Sequence, residues 1–171
     1  IIFDCTSAQA SKNIYNKIKK KLNKNFYVNL TPAPLGKYFI PYFSNVKIPH
    51  SINMITCGGQ SSVPVIMEMK KVIKDIKYVE VISSIASQSA GKATRENINE
   101  YIINTQRAIG QLSGLKNNKV IINLNPSKPP VNMMNSIFFE CKNVNGKKIK
   151  EANVVLKNIN KTIKKYIPGY N

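Results

Sequence analysis

A chain of 171 residues with 43% hydrophobic content is long enough to bury one good-sized core, or one domain and part of another, and too apolar for a disordered segment. Its formal charge of +18, from 26 Lys and Arg against 8 Asp and Glu, would draw polyanions. Yet Arg95 and Arg107 are the only arginines, the lysines are strewn along predicted helices and loops without interleaved aromatics, and specific nucleic-acid binding is not expected. No apolar run approaches the roughly 20 residues a membrane span needs, and three cysteines with one histidine make neither a disulfide framework nor a metal site.

The opening Ile1-Ile2-Phe3-Asp4 shows no initiator Met and no basic leader before an apolar region, and it reads as part of a longer protein that begins directly on a strand. Ile1 to Thr6 is predicted as a short buried strand, and Ser7 to Lys24 as a helix with Ala10, Ile14, Ile18 and Leu22 at helical spacing. Phe26 to Leu30 is a second strand, broken by Thr31-Pro32-Ala33-Pro34, so the opening fits a βαβ unit. A GxGxxG turn is absent, which places any phosphate-cradling first unit of a dinucleotide fold outside this sequence. Gly36 to His50 reads as a connecting loop.

The run Ile52-Asn53-Met54-Ile55-Thr56-Cys57 then meets Gly58-Gly59-Gln60-Ser61-Ser62-Val63-Pro64. Pro64 suits a first helical turn and the serines before it suit an N-cap, so the helix is expected from about Val63 to Lys74, with Val65, Ile66, Met69, Val72 and Ile73 as its apolar stripe. Cys57 would then lie on a strand-to-helix turn, beside unpaired backbone N–H groups and the positive end of a helix dipole, where a thiolate is favoured. The paired glycines would let a substrate approach the backbone. A buried structural cysteine before a tight turn fits the local pattern equally well. Cys5 and Cys141 lie on strand patterns and read as core residues, and free thiols in a reducing cytoplasm are the expected state.

Ile76 to Ala86 is a long β-branched strand that dissolves into small residues up to Thr94, which is expected to cap a helix carrying Ile98, Ile102, Thr105, Ile109 and Leu112 and ending at Gly114. Strands follow at Lys119 to Asn125 and Met133 to Lys142, then a turn at Asn145-Gly146 and a helix from Lys150 to Tyr166. The fold class is α+β with an α/β opening: the tail of one α/β domain over residues 1–50, a mixed α+β domain over 51–150, and a last helix in 151–171.

Several blocks together resemble the acylating, coenzyme A-dependent acetaldehyde dehydrogenases of the semialdehyde-dehydrogenase-like group, and the resemblance runs over nearly the whole chain. Phe3-Asp4-Cys5-Thr6-Ser7-Ala8 is similar to that family's F-D-A-T-S-A, and Leu30-Thr31-Pro32-Ala33 to its L-T-P-A. Asn53-Met54-Ile55-Thr56-Cys57-Gly58-Gly59-Gln60 resembles N-M-V-T-C-G-G-Q around the nucleophile. Ser84 to Gly91 followed by Thr94-Arg95-Glu96-Asn97-Ile98 resembles S-I-A-S-K-S-A-G-P-G-T-R-A-N-I, Asn125 to Pro130 resembles N-P-A-E-P-P, and Tyr166 to Tyr170 resembles Y-V-P-G-Y.

The resemblance implies the end of an NAD-binding Rossmann-like domain, then a mixed-sheet dimerisation domain of a homodimer, then a helix returning toward the first domain. It implies conversion of acetaldehyde, NAD and coenzyme A to acetyl-CoA in the cytoplasm, within aromatic catabolism, with a 4-hydroxy-2-oxovalerate aldolase as partner, and with no membrane association. Cys57 would be the nucleophile that forms a thioester. Ser89, Ala90, Gly91, Lys92, Ala93, Thr94, Arg95, Glu96 and Asn97 would contact the nucleotide, with Lys92 and Ala93 where the family has Pro-Gly. Asn135, in Met133-Met134-Asn135-Ser136, stands where the family's M-R-D-T carries the aspartate that activates the nucleophile, and an amide cannot take a proton. His50 lies outside the matched blocks and is expected to face solvent. The competing readings are a related semialdehyde dehydrogenase, a non-catalytic dimerisation module and a basic nucleic-acid-binding module.

Overall fold

The computed structural model describes residues 1–22, 25–44 and 48–171, and the side chain of Ala93 lies outside the description. The predicted end of the first helix at Lys24 and residues 45–47 of the predicted Gly36–His50 loop therefore lie outside the described residues. Four short strands, β1 (Ile2–Asp4), β2 (Tyr27–Asn29), β3 (Lys37–Tyr38) and β4 (Ser51–Asn53), form one sheet in the order β1-β2-β4-β3, parallel throughout. Helix α1 (Ala8–Ile18) makes the first crossover, capped by Ser7, whose hydroxyl accepts the Ala10 N–H at 3.3 Å. The strand leading into Cys57 is thus a member of the first sheet and lies on the far side of position 50.

The second sheet has three strands in the order β6-β5-β7: β5 (Ile76–Ala86) pairs parallel with β6 (Asn118–Asn125) and antiparallel with β7 (Met134–Cys141). Its inner face carries Val79, Val81 and Ile85 and is covered by α2 (Cys57–Val72) and α4 (Ile98–Ser113), with α5 (Gly146–Ile163) packed against α2. The burial alternates along β5, as period-two side chains on a one-sided sheet require. Its outer face has no covering element among the described residues and aligns Phe138 opposite Glu80, Met134 opposite Ser84, and Ile82 beside Ile121.

Three helix starts differ from the sequence expectation. The second helix begins at Cys57, six residues before Val63; Thr56 is its N-cap and Pro64 lies inside it. Glycines read as punctuation here serve as helical residues packed against neighbours. A short α3 (Lys92–Glu96) precedes α4, so Thr94 is a helical residue and Asn97 occupies the cap position. Asn145 caps α5 through its side chain, taking the Lys148 N–H at 3.0 Å, so that helix starts at Gly146 instead of Lys150. The predicted α4 stop is as expected, with Gly114 left-handed at φ 76°. Among the described residues no helix is long and apolar enough to cross a membrane.

Asp4, at the end of β1, anchors the first unit. Its carboxylate accepts the Thr6 N–H at 3.0 Å, the Thr6 hydroxyl at 2.6 Å and the Tyr27 hydroxyl, which also meets Ser11 at 3.1 Å. Burial pushes this carboxyl up, but the hydrogen bonds from Thr6 and Tyr27 outweigh it and hold it below the ordinary range. A group depressed in the folded state contributes stability that is present above the unfolded carboxylate range and lost as pH falls through it. The urea midpoint is expected to drop on acidification below about pH 4, and less steeply in Asp4→Asn; equal slopes in the two proteins would remove Asp4 from this role.

Candidate active site

Cys57 is the first residue of α2 and is exposed. It reaches this position through an unusual backbone. Ile55 sits at φ 63°, a left-handed conformation that a β-branched residue adopts only when its surroundings over-determine it. The over-determination is visible: Asn53 Oδ1 accepts the Ile55 N–H at 2.7 Å and Asn104 Nδ2 donates to the Ile55 carbonyl at 2.9 Å. Asn53 and Asn104 are fully buried and face each other at 3.4 Å. Asn53 also donates to the Ala33 carbonyl at 2.9 Å, fastening the Thr-Pro-Ala-Pro segment to the same point.

One face of α4 holds the whole turn. Tyr101, Asn104 and Thr105, at i, i+3 and i+4, contact Gly58, Ile55 and Thr56 in that order. Thr56 Oγ1 accepts the Gly59 N–H at 2.9 Å and meets Thr105 Oγ1 at 2.8 Å, and Thr105 donates to the Tyr101 carbonyl at 2.8 Å. The Gly58 N–H donates to Tyr101 Oη at 3.0 Å. The amides expected to be unpaired beside Cys57 are therefore occupied at Gly58 and Gly59.

Both glycines are required by close approach. A Cβ at Gly58 would fall within 3.0 Å of Tyr101 Oη and Ser83 Oγ, and one at Gly59 would do so at Ile55 Cγ2. The space in front of these glycines is filled by the protein's own side chains instead of being left to a substrate, as the sequence suggested.

Two clefts meet at Cys57. The first, of about 360 Å³, runs between the units and is lined by Cys5, Thr6, Ser7 and Thr31 on one side and Thr94, Asn97 and Tyr101 on the other. The second, of about 520 Å³, is lined by Gln60, Ser61, Met133, Met134, Asn135 and Tyr170. Among the described residues, the first cleft's lining contains no carboxylate, lysine or histidine, and its titratable groups are Cys5, Cys57 and Tyr101. Cys5 is exposed in this cleft, not buried as its strand position suggested, because β1 ends at Asp4 and the chain turns outward. Cys141 is half-buried on β7, and burial pushes its thiol up.

The other residues singled out in the sequence divide as follows. Of the segment 89–97, Thr94 and Asn97 line the first cleft with Cys57. Arg95 folds back onto the Ala90 and Ser87 carbonyls, both at 2.9 Å, and onto Ser87 Oγ at 2.8 Å. Lys92 and Glu96 form an exposed ion pair at 3.7 Å, Ser89 and Gly91 are exposed, and Ala90 is buried. Asn135 lies directly opposite Ser83 in the β5–β7 register, which aims it at the first turns of α2. It accepts from Ser83 Oγ at 2.6 Å and donates to Ser61 Oγ at 2.5 Å. Ser61 in turn donates to the Cys57 carbonyl at 3.0 Å, so Asn135 reaches the backbone of Cys57 through one hydroxyl. His50 is exposed, stacked on Phe26 at 5.3 Å between centroids, and lines neither cleft. Tyr101, Asn104, Asn53 and Ile55 were not singled out from the sequence. The available signal was the α4 spacing, since Tyr101 and Ala108 extend the buried stripe that contains Thr105.

The family model described as prokaryotic acetaldehyde dehydrogenase, dimerisation, matches residues 57–171. An acetaldehyde dehydrogenase from Burkholderia thailandensis is 38% identical over 172 aligned positions, covering 99% of this chain and 56% of the relative. One from Pectobacterium atrosepticum is 38% identical over 174 positions, covering 99% and 57%, and one from Bacillus cereus 37% over 172, covering 99% and 56%. The chain thus spans somewhat over half the length of the curated relatives it matches.

Proposed function

This chain belongs to the prokaryotic acetaldehyde dehydrogenase family, and from that premise we propose that it forms the nucleophile-bearing and dimerisation portion of an acylating acetaldehyde dehydrogenase that yields acetyl-CoA. One observation carries the reading: Cys57 is exposed at the first residue of a helix and lines both clefts, with Thr94 and Asn97 across the first of them. A cysteine suits the task because its thiolate is nucleophilic near neutral pH and its thioester remains a good acyl donor.

In this reading the Cys57 sulfur, as thiolate, adds to the aldehyde carbon to form a hemithioacetal; loss of hydride from carbon and of the hydroxyl proton to solvent turns that adduct into a thioester, and attack by a thiol acceptor breaks the cysteine S–C bond and frees the thiolate. NAD, when bound, would accept the hydride, and coenzyme A would be the thiol acceptor. The first cleft fits an anionic dinucleotide in that its lining sets hydroxyls and an amide, from Thr6, Ser7, Thr94 and Asn97, with no carboxylate among the described residues there to oppose a phosphate. Of the nine residues in segment 89–97, Thr94 and Asn97 are those we assign to nucleotide contact. The second cleft, with Met133, Met134 and Tyr170 around Cys57, suits a small apolar aldehyde. Asn135 holds the α2 first turn in register through Ser61 but supplies no base. The open face of the second sheet, where Met134 and Phe138 are 62% and 57% exposed, supports self-association as a homodimer. An aldolase partner that delivers the aldehyde and a cytoplasmic setting belong to the same reading.

The acyl-transfer half of this reaction is testable on the chain by itself. Incubation with acetyl-CoA is expected to move one acetyl group onto Cys57, releasing the free coenzyme A thiol, as read by peptide mass spectrometry and reversed by hydroxylamine. Acetyl groups found only on lysines, Cys5 or Cys141 would overturn the assignment and favour a dimerisation module without catalytic function.

A further inference from the structure

We propose that Tyr101 is a catalytic residue, its hydroxyl donating a hydrogen bond to the Cys57 sulfur and thereby holding the thiolate ready for attack. The inference rests on the reading of Cys57 as the nucleophile and adds a residue to it. Tyr101 Oη lies 4.0 Å from Cys57 Sγ, within the reach of an O–H···S bond, and the tyrosine is buried behind the sulfur on α4.

The hydrogen-bond roles around this hydroxyl can be assigned one by one. The Gly58 N–H donates to Oη at 3.0 Å, so the oxygen acts there as acceptor and its own proton remains available. Accepting that bond polarises the O–H and strengthens it as a donor. Two hydroxyls also neighbour Oη: Ser83 Oγ, which spends its proton on Asn135 Oδ1 at 2.6 Å, and Thr56 Oγ1, which meets Thr105 Oγ1 at 2.8 Å while Thr105 donates to the Tyr101 carbonyl. Of the sites that face the tyrosine proton, the sulfur carries charge in the reactive state, and a bond to a charged acceptor is the stronger. Burial, with Cys57 beside it, pushes the tyrosine hydroxyl up to about 12, so the proton stays on the oxygen at neutral pH. Among the described residues lining the first cleft, Cys5 is the one titratable group besides the pair itself. The helix terminus cannot substitute either, because the Gly58 and Gly59 amides are turned to Tyr101 and Thr56.

The test is the rate of iodoacetamide alkylation at each cysteine, resolved by peptide mass spectrometry across a pH series on the whole chain. Cys5, exposed on the same cleft, serves as the internal reference. In Tyr101→Phe, alkylation of Cys57 at pH 7 is expected to slow by roughly tenfold relative to Cys5, with the Cys57 profile displaced to higher pH. Because Phe leaves the buried Gly58 N–H without its acceptor, folding of that variant is checked by circular dichroism. Site-specific 3-fluorotyrosine at position 101, nearly the same shape and a stronger donor, is expected to shift the profile the opposite way. Unchanged Cys57 profiles in both proteins, or in the fluorotyrosine protein alone if Phe does not fold, would overturn the proposal. Acetyl transfer from acetyl-CoA reports separately on the function of Cys57: its failure with the alkylation shifts intact would discard the enzyme reading and leave the tyrosine–sulfur contact standing.

Discussion

Full-length protein carrying Cys57→Ser is expected to lose acetyl-CoA formation by on the order of 10⁴-fold or more, the scale on which removal of a covalent nucleophile is felt in other enzymes. The substitution is nearly isosteric and the position is exposed, so the fold is not at issue. A serine needs a base to lend it nucleophilicity. Among the described residues none lines either cleft: the first has no histidine, carboxylate or lysine, and in the second the residue at the matching position is Asn135, an amide already engaged by Ser61 and Ser83. A thiol is intrinsically far more nucleophilic than a hydroxyl, so a cysteine needs no such base where a serine does. Coupled NADH and acetyl-CoA production measured on wild type and variant decides the matter, and a variant retaining a tenth of the activity would refute the covalent mechanism.

Gly58→Ala sets two physical effects against each other. Helix propensity alone favours alanine over glycine by about 1 kcal/mol, and Gly58 is the second residue of α2. The added methyl group, however, would collide with Tyr101 Oη and Ser83 Oγ, and behind Ser83 stands the strand β5. Overpacking of this kind costs about 1–3 kcal/mol and here wins. The variant is expected to melt several degrees lower, at roughly 2–4 °C per kcal/mol for a chain of this size, and to alkylate slowly at Cys57 because the clash separates Tyr101 from the turn. Gly146→Ala at the start of α5, where a Cβ meets nothing within 4 Å, is the control and is expected to be neutral or stabilising. A Gly58→Ala protein that melts at or above the wild-type temperature would show that the turn yields, and the rigid picture of the site would fall.

Much of this site was legible in the sequence because it depends on short-range chemistry. Thr56-Cys57-Gly58-Gly59-Gln60 pointed to the position where the two clefts meet, and β-branched runs located β5, β6 and β7 to within a residue or so. The start of α2 was misread since two consecutive glycines suggest a turn when their neighbours are unknown. What makes them helical is the arrival of Tyr101 and Ser83 from 43 and 25 residues away, a contact that no local pattern encodes. Asn53 and Asn104 were overlooked for a related reason. Asparagine at full burial is unexpected from hydropathy, and it is tolerated here because each amide is bonded to backbone carbonyls or N–H groups. The Cys5 exposure followed from one fact the periodicity could not supply, namely that β1 stops at Asp4.

The left-handed Ile55 ties the aim of the sulfur to the docking of two otherwise separate halves. Such a conformation, unsupported, relaxes with a gain of about 1–3 kcal/mol, and its supports come one from each half: Asn53 from the parallel sheet and Asn104 from the helix over the mixed sheet. The segment that matches the dimerisation family begins at residue 57 and so contains the sulfur and one brace but neither Ile55 nor the other brace. An excised 57–171 piece would keep its thiol and lose its trigger. In the intact molecule, any swing of the first sheet away from α4 would release the aim of the Cys57 sulfur at the same moment it opened the cleft.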